Sequence, residues 1–146
     1  MAGFKSSEFI DRPIEQVFAY ASDLTTASEW LPGVKRIEKI TDGPLRAGTQ
    51  FRETRLMGKR EATAVIEVVE HTPPRVHAAG AKFPGGDAVY RYTFEREGGG
   101  TRVNLEAIVR GRWLGWLLVP LLVSCMKKQD GDQLARLKAA IARKAV

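Results

Sequence analysis

Glu53 and Arg55 lie two residues apart and so share one face of any β-strand that carries them. On an inward face each would need a partner, because a buried charge without one is costly, and each could serve the other. Arg55 would then anchor a ligand carboxylate, phosphate or enolate, with Glu53 orienting it. On a twisted strand both would instead sit at a solvated rim. Tyr90 and Tyr92 repeat the spacing. A tyrosine hydroxyl inside an apolar cavity is a natural donor to a ligand oxygen, although aromatics at this spacing also serve simply as core. Arg55, Tyr90 and Tyr92 are therefore the candidates for polarising carbonyls or moving protons. Asp130 interrupts an otherwise apolar helical stripe. It either pairs with Lys127 one turn earlier or marks a helix face turned to a wet cavity. Gly131 beside it would loosen the helix or make room for a ligand.

Other reactive side chains offer less. The two histidines, His71 and His77, have no carboxylate or cysteine at ligand spacing, so no metal site is expected. The single cysteine, Cys125, falls in the most apolar stretch and reads as an inert buried hydrophobe. Gly98-Gly99-Gly100 lies between two strands with no helix after it, so it is a turn and not a phosphate loop. No serine sits in a nucleophile elbow. No cofactor is implied.

The elements that must position these residues follow from periodicity. Phe4 to Ile10 alternates as a first strand. Asp11-Arg12-Pro13 opens a helix, with Asp11 or Arg12 at the cap, Pro13 in the first turn, and Ile14, Val17, Phe18 and Ala21 at helical spacing. Asp23 to Pro32 predicts a second short helix, capped by Thr25 or Thr26, with Trp30 on its last turn. From Gly33 the period becomes two, and Val34–Thr41, Thr49–Met57, Glu61–Val69, Val76–Phe83, Ala88–Glu95 and Thr101–Arg110 all read as strands. Short turn-rich breaks make consecutive strands antiparallel hairpins. One helix is expected from about Val119 to Ala145, spanning roughly 40 Å at 1.5 Å per residue, with Pro120 in its first turn or at a kink.

This order describes an α+β fold. A curved seven-stranded antiparallel sheet wraps a long C-terminal helix, with two short helices after the first strand, in one domain over residues 1–146. Phe51, Glu53, Arg55 and Met57 share a face, as do Tyr90, Tyr92 and Phe94. If apolar faces turn inward, the interior is aliphatic with two tyrosines. Trp30, Trp113 and Trp116 are the large apolar groups near the expected cavity mouth. The expected ligand-lining set is Trp30, Phe51, Glu53, Arg55, Tyr90, Tyr92, Trp116 and Asp130.

Composition narrows the functional classes. Apolar residues make up 44% and charged residues 27%, which argues against disorder. The net charge is +6, and Lys35 to Arg60 alone holds eight basic and three acidic residues. That run is either the solvated outer faces of strands or a patch for an anionic ligand or membrane. No nucleic-acid partner is expected, because no helix-turn-helix, zinc finger or RNA-binding aromatic motif accompanies the charge. The apolar run from Trp113 to Met126 falls short of the ~20 residues a bilayer crossing needs. With Leu114, Leu117 and Leu118 it could instead touch a membrane transiently during ligand loading. The N-terminal residues carry no apolar signal-like core, so a cytoplasmic location is expected.

The segments Ile10–Phe18, Trp30–Val34, Gly43–Thr49, Gly100–Val103 and Leu134–Lys138, in that order, resemble the Bet v 1/START-like superfamily. The nearest branch is the bacterial polyketide cyclase/dehydrase and lipid-transport group, and the resemblance covers about Phe4 to Lys144. It implies the helix-grip fold and a small hydrophobic ligand, such as a lipid, quinone or polyketide, held between sheet and C-terminal helix; a monomer or homodimer is expected. The alternatives it implies are an aromatase/cyclase-like enzyme and a quinone or lipid chaperone at the membrane surface.

Overall fold

The computed structural model describes residues 2–144 apart from 32, 84 and 112–116. Seven strands form one antiparallel sheet: β1 (Ala2–Ile10), β2 (Val34–Lys39), β3 (Gln50–Met57), β4 (Arg60–Thr72), β5 (Val76–Phe83), β6 (Gly86–Glu97) and β7 (Gly100–Gly111). Their spatial order is β1-β7-β6-β5-β4-β3-β2, so only the β1–β7 pairing joins strands distant in sequence. The alternation located every strand, with ends shifted by a few residues where hairpins extend pairing into the turns.

Register fixes what each face carries. Phe4, Ala107, Tyr90, Ala79 and Val68 lie side by side across five strands. The next row is Ser6, Leu105, Tyr92, His77 and His71. These rows face inward. Phe94, Val103 and Leu105 join one core with Val17, Phe18 and Ala21 of α1 (Ile14–Ser22). That helix starts with Pro13 at its cap position, one residue later than expected. The following turn is a 3-10 helix, Leu24–Glu29. Its cap is Asp23 and not Thr25 or Thr26, because the Asp23 carboxylate accepts from the Thr25 amide at 3.1 Å and the Thr25 hydroxyl at 2.6 Å.

The C-terminal helical arm is two helices, α2 (Val119–Asp130) and α3 (Gln133–Arg143), where a single unbroken helix was expected. Pro120 sits in the first turn of α2, which settles its role as a start and not a kink. The break falls at Gly131-Asp132, two poor helix formers in succession. The Gly131 amide still donates to the Lys127 carbonyl at 2.8 Å, and a Cβ on Gly131 would lie 2.3 Å from that oxygen. The apolar stripe resumes after the break, with Leu134, Leu137, Ala140 and Ile141 all buried. Cys125 is exposed, contrary to the expectation of a buried thiol. It lies one turn beyond the exposed Leu121, on the outward side of α2.

Cover over the concave face is uneven. The helices α2 and α3 pack over β1, and α2 also over β7. Along the inward side of β4, Val68 is buried, Ile66 is half-buried, and Ala64 and Ala62 are exposed. The concave face therefore opens toward the β3–β4 hairpin.

Candidate ligand site

Where the covered and open parts of the concave face meet, four elements bring polar groups together. Strand β3 turns Glu53 and Arg55 inward, opposite Ala64 and Ala62. The β3 alternation compels this, because Phe51 on the same face is buried core. Arg55 Nε donates to Glu53 Oε1 at 3.1 Å. Arg55 Nη1 donates to Asp130 Oδ1 at 3.4 Å, reaching from the sheet to the last residue of α2. The Tyr90 hydroxyl, from β6, donates to Asp130 Oδ2 at 2.6 Å. These side chains are only 12% (Glu53), 16% (Arg55) and 5% (Asp130) exposed, so the cluster is neither a solvated rim nor a surface ion pair.

A second layer lies behind it. The Tyr92 hydroxyl donates to Gln133 Oε1, and Gln133 Nε2 donates to the Asp130 carbonyl at 3.2 Å. The helix break is what frees that carbonyl, so the interruption at Gly131-Asp132 and the polar cluster are one piece of architecture. Trp30 is buried and meets the Tyr92 ring edge-on at 6.2 Å. Phe4 meets Tyr90 in the same manner at 6.1 Å.

Electrostatics sets what these groups can do. Burial opposes the charge on Arg55, but Glu53 and Asp130 outweigh it and hold its pKa above the usual guanidinium value. Burial, then the charge and hydrogen bond of Asp130, pushes Tyr90 far above the ordinary phenol range. Burial followed by the Asp130 charge does the same to Tyr92. Both phenols are therefore neutral donors at physiological pH. Neither is a base, and Tyr90 already spends its proton on Asp130.

Farther along the Tyr92 row, His71 and His77 place their Nδ1 atoms 3.2 Å apart, with His71 against Phe18. His77 is pushed down to about 4, first by burial and then by His71; burial also lowers His71. His77 Nε2 and Trp30 Nε1 are buried without a protein partner among the described residues. Among the same residues no group of three or more His, Cys, Asp or Glu side chains could hold a metal ion.

The expected set thus divides. Glu53, Arg55, Tyr90 and Asp130 converge directly, Tyr92 lies one layer behind, and Trp30 and Phe51 form buried wall. Asp130 pairs with Arg55 and Tyr90; the expected alternative partner, Lys127, makes no ion pair with it. Trp116 and Trp113 lie outside the described residues. Gln133 was not anticipated. Its signal was its place three residues after Asp130, on the same helical face. The basic run divides too: Lys35 and Arg36 pair with Glu61, and Arg55 points inward. A shallow hollow of about 440 Å³ on the outer face, around Gly80, Val65 and Val69, lacks any such convergence of buried polar groups.

The family model described as polyketide cyclase / dehydrase and lipid transport matches residues 1–142. The chain belongs to that family. Solved structures of the same fold include TTHA0849 from Thermus thermophilus, at 20% identity and TM-score 0.76, with 97% of this chain and 98% of that one covered. Ara h 8.0201 aligns at 14% identity and TM-score 0.72, covering 95% and 97%. The Zhui aromatase/cyclase from Streptomyces sp. R1128 aligns at 13% identity and TM-score 0.71, covering 98% and 95%. At these identities the likeness shows the helix-grip fold alone, and family membership by itself assigns no reaction. A comparison with curated proteins gave no match. No helix among the described residues is long and apolar enough to cross a membrane.

Proposed function

We propose that the protein binds a small hydrophobic molecule such as a lipid, quinone or polyketide on its concave face, between sheet and C-terminal arm. The observation that carries this is the Glu53–Arg55–Asp130–Tyr90 cluster. It is a small set of convergent polar groups, Asp130 buried and the other three half-buried, at the border between an apolar interior and an open strip of alanine. That combination orients an otherwise apolar ligand. Native mass spectrometry and lipid extraction of the purified protein, followed by a lipid and quinone screen, test it. Binding of several apolar molecules is expected; none bound would remove the proposal.

A cyclase or dehydratase of aromatase type is the second reading, supported by family membership and by the half-buried donor Arg55. In it, Arg55 polarises a ketone oxygen of a poly-β-ketone while the concave face folds the chain. Turnover by the wild type that falls at least ~10²-fold in Arg55→Ala is expected. Undiminished turnover in Arg55→Ala would reject this role.

For partners we propose a monomer or homodimer that takes no nucleic acid and touches membranes transiently from the cytoplasm. Leu118 and Leu121 at the start of α2 are each 65% exposed and support the membrane contact. Co-sedimentation with anionic liposomes tests it, and no salt-sensitive binding would dismiss it.

A further inference from the structure

The polar cluster carries an excess of negative charge. It holds two carboxylates, Glu53 and Asp130, against one guanidinium, Arg55. Tyr90 and Tyr92 add no charge, and among the described residues no other cation pairs with either carboxylate. The bonds within the cluster also leave donors and acceptors over. Arg55 spends Nε on Glu53 and Nη1 on Asp130, and Tyr90 spends its proton on Asp130. The bonds within the cluster use Glu53 Oε1 and Arg55 Nε and Nη1, and neither Glu53 Oε2 nor Arg55 Nη2 is among the buried atoms that lack a partner. At the open edge of the concave face, a carboxylate acceptor and a guanidinium donor are therefore left for a ligand.

We infer that the ligand is a neutral, hydroxyl-bearing apolar molecule, an alcohol or phenol, and that carboxylates and phosphates of similar shape are discriminated against. This deepens, and rests on, the reading of the concave face as an apolar ligand site. One hydroxyl satisfies both groups, donating to Glu53 Oε2 while accepting from Arg55. A ligand carboxylate would only accept. It would leave Glu53 Oε2 unmet and bring a second uncompensated negative charge beside the first, in surroundings that screen poorly. The expectation that Arg55 anchors an anionic headgroup is replaced on this account, because the arginine is already outnumbered by its own carboxylates.

Isothermal titration of the full chain at neutral pH with 1-decanol, decanoate and decyl methyl ether tests the inference. Decanol is expected to bind at least about tenfold more tightly than decanoate, with the ether, which cannot donate, in between. In Asp130→Asn, which brings the cluster to neutrality, the decanol-to-decanoate ratio is expected to fall about tenfold. Circular dichroism and a thermal melt check that this variant is folded, and the wild-type comparison stands without it. Decanoate binding as tightly as decanol to the wild type would overturn the ligand class while leaving the apolar site intact. Binding of none of the three would overturn the apolar site itself, and this inference with it.

Discussion

Acid should destabilise this protein through His77. The residue is 1% exposed, has one hydrogen-bonding contact, to His71, and is held neutral with its pKa lowered from 6.5 to about 4. In the unfolded chain it would titrate near its ordinary value. Between about pH 6.5 and 4 the unfolded state therefore binds more protons than the folded one, and stability falls as pH falls through that window. At 1.36 kcal/mol per pKa unit the full effect is about 3 kcal/mol, of which about 2 kcal/mol is spent between pH 7 and 5. Burial also lowers His71, which adds in the same direction. Urea unfolding followed by tryptophan fluorescence at pH 7, 6 and 5 reads this out, with His77→Gln as the non-titrating reference. The variant is expected to be less stable at pH 7 and to lose about 2 kcal/mol less than the wild type on going to pH 5. Parallel pH profiles for the two proteins would refute the reasoning, since some other group would then carry the acid sensitivity.

Three further outcomes are expected. Leu137→Ala, which empties a fully buried position where α3 meets the core, should cost about 2–5 kcal/mol in denaturant unfolding. Gly131→Ala would bring a Cβ to 2.3 Å from the Lys127 carbonyl; the helical arm must shift, lowering stability by about 1–3 kcal/mol in a thermal melt. Arg55→Met leaves Glu53 and Asp130 without their shared cation and should cost about 3 kcal/mol, with adding Asp130→Asn restoring part of it; no recovery in the double variant would show that packing, not charge, was lost.

Much of this molecule is legible in its sequence, for identifiable reasons. Strand positions are legible because one face of the sheet is buried, so each inward side chain is followed by an outward one. The same rule turned Glu53 and Arg55 inward once Phe51 was placed in the core. The helix break was only half-legible: Gly131 pointed to a loosening, but Met126, Asp130, Leu134 and Leu137 keep to one helical face across it. A stripe records which side of a helix is covered and not whether the backbone bonds continue beneath it. Cys125 was misplaced because the run from Trp113 to Met126 was taken as one apolar block; the side of α2 that carries Leu121, Ser124, Cys125 and Lys128 is the exposed one. The partnership of Asp130 with Arg55 and Tyr90 was illegible for a deeper reason. Periodicity assigns a residue to a face, whereas a salt bridge between residues 55 and 130 depends on where two elements cross.

That crossing also changes what the charges mean. The basic run from Lys35 to Arg60 invites an anionic partner when counted along the chain. In the folded protein its one inward-facing, ion-paired member, Arg55, is held between two carboxylates, and Lys35 and Arg36 are drawn to Glu61 on the next strand but one. The positive charge of the chain is thus kept outside, and the concave interior is left locally negative. A site so arranged selects by hydrogen-bond complementarity, with net attraction of opposite charge playing no part. A hydroxyl meets that requirement where a carboxylate cannot, and for this reason the ligand's oxygen chemistry, more than the size of its apolar body, should decide what the protein holds.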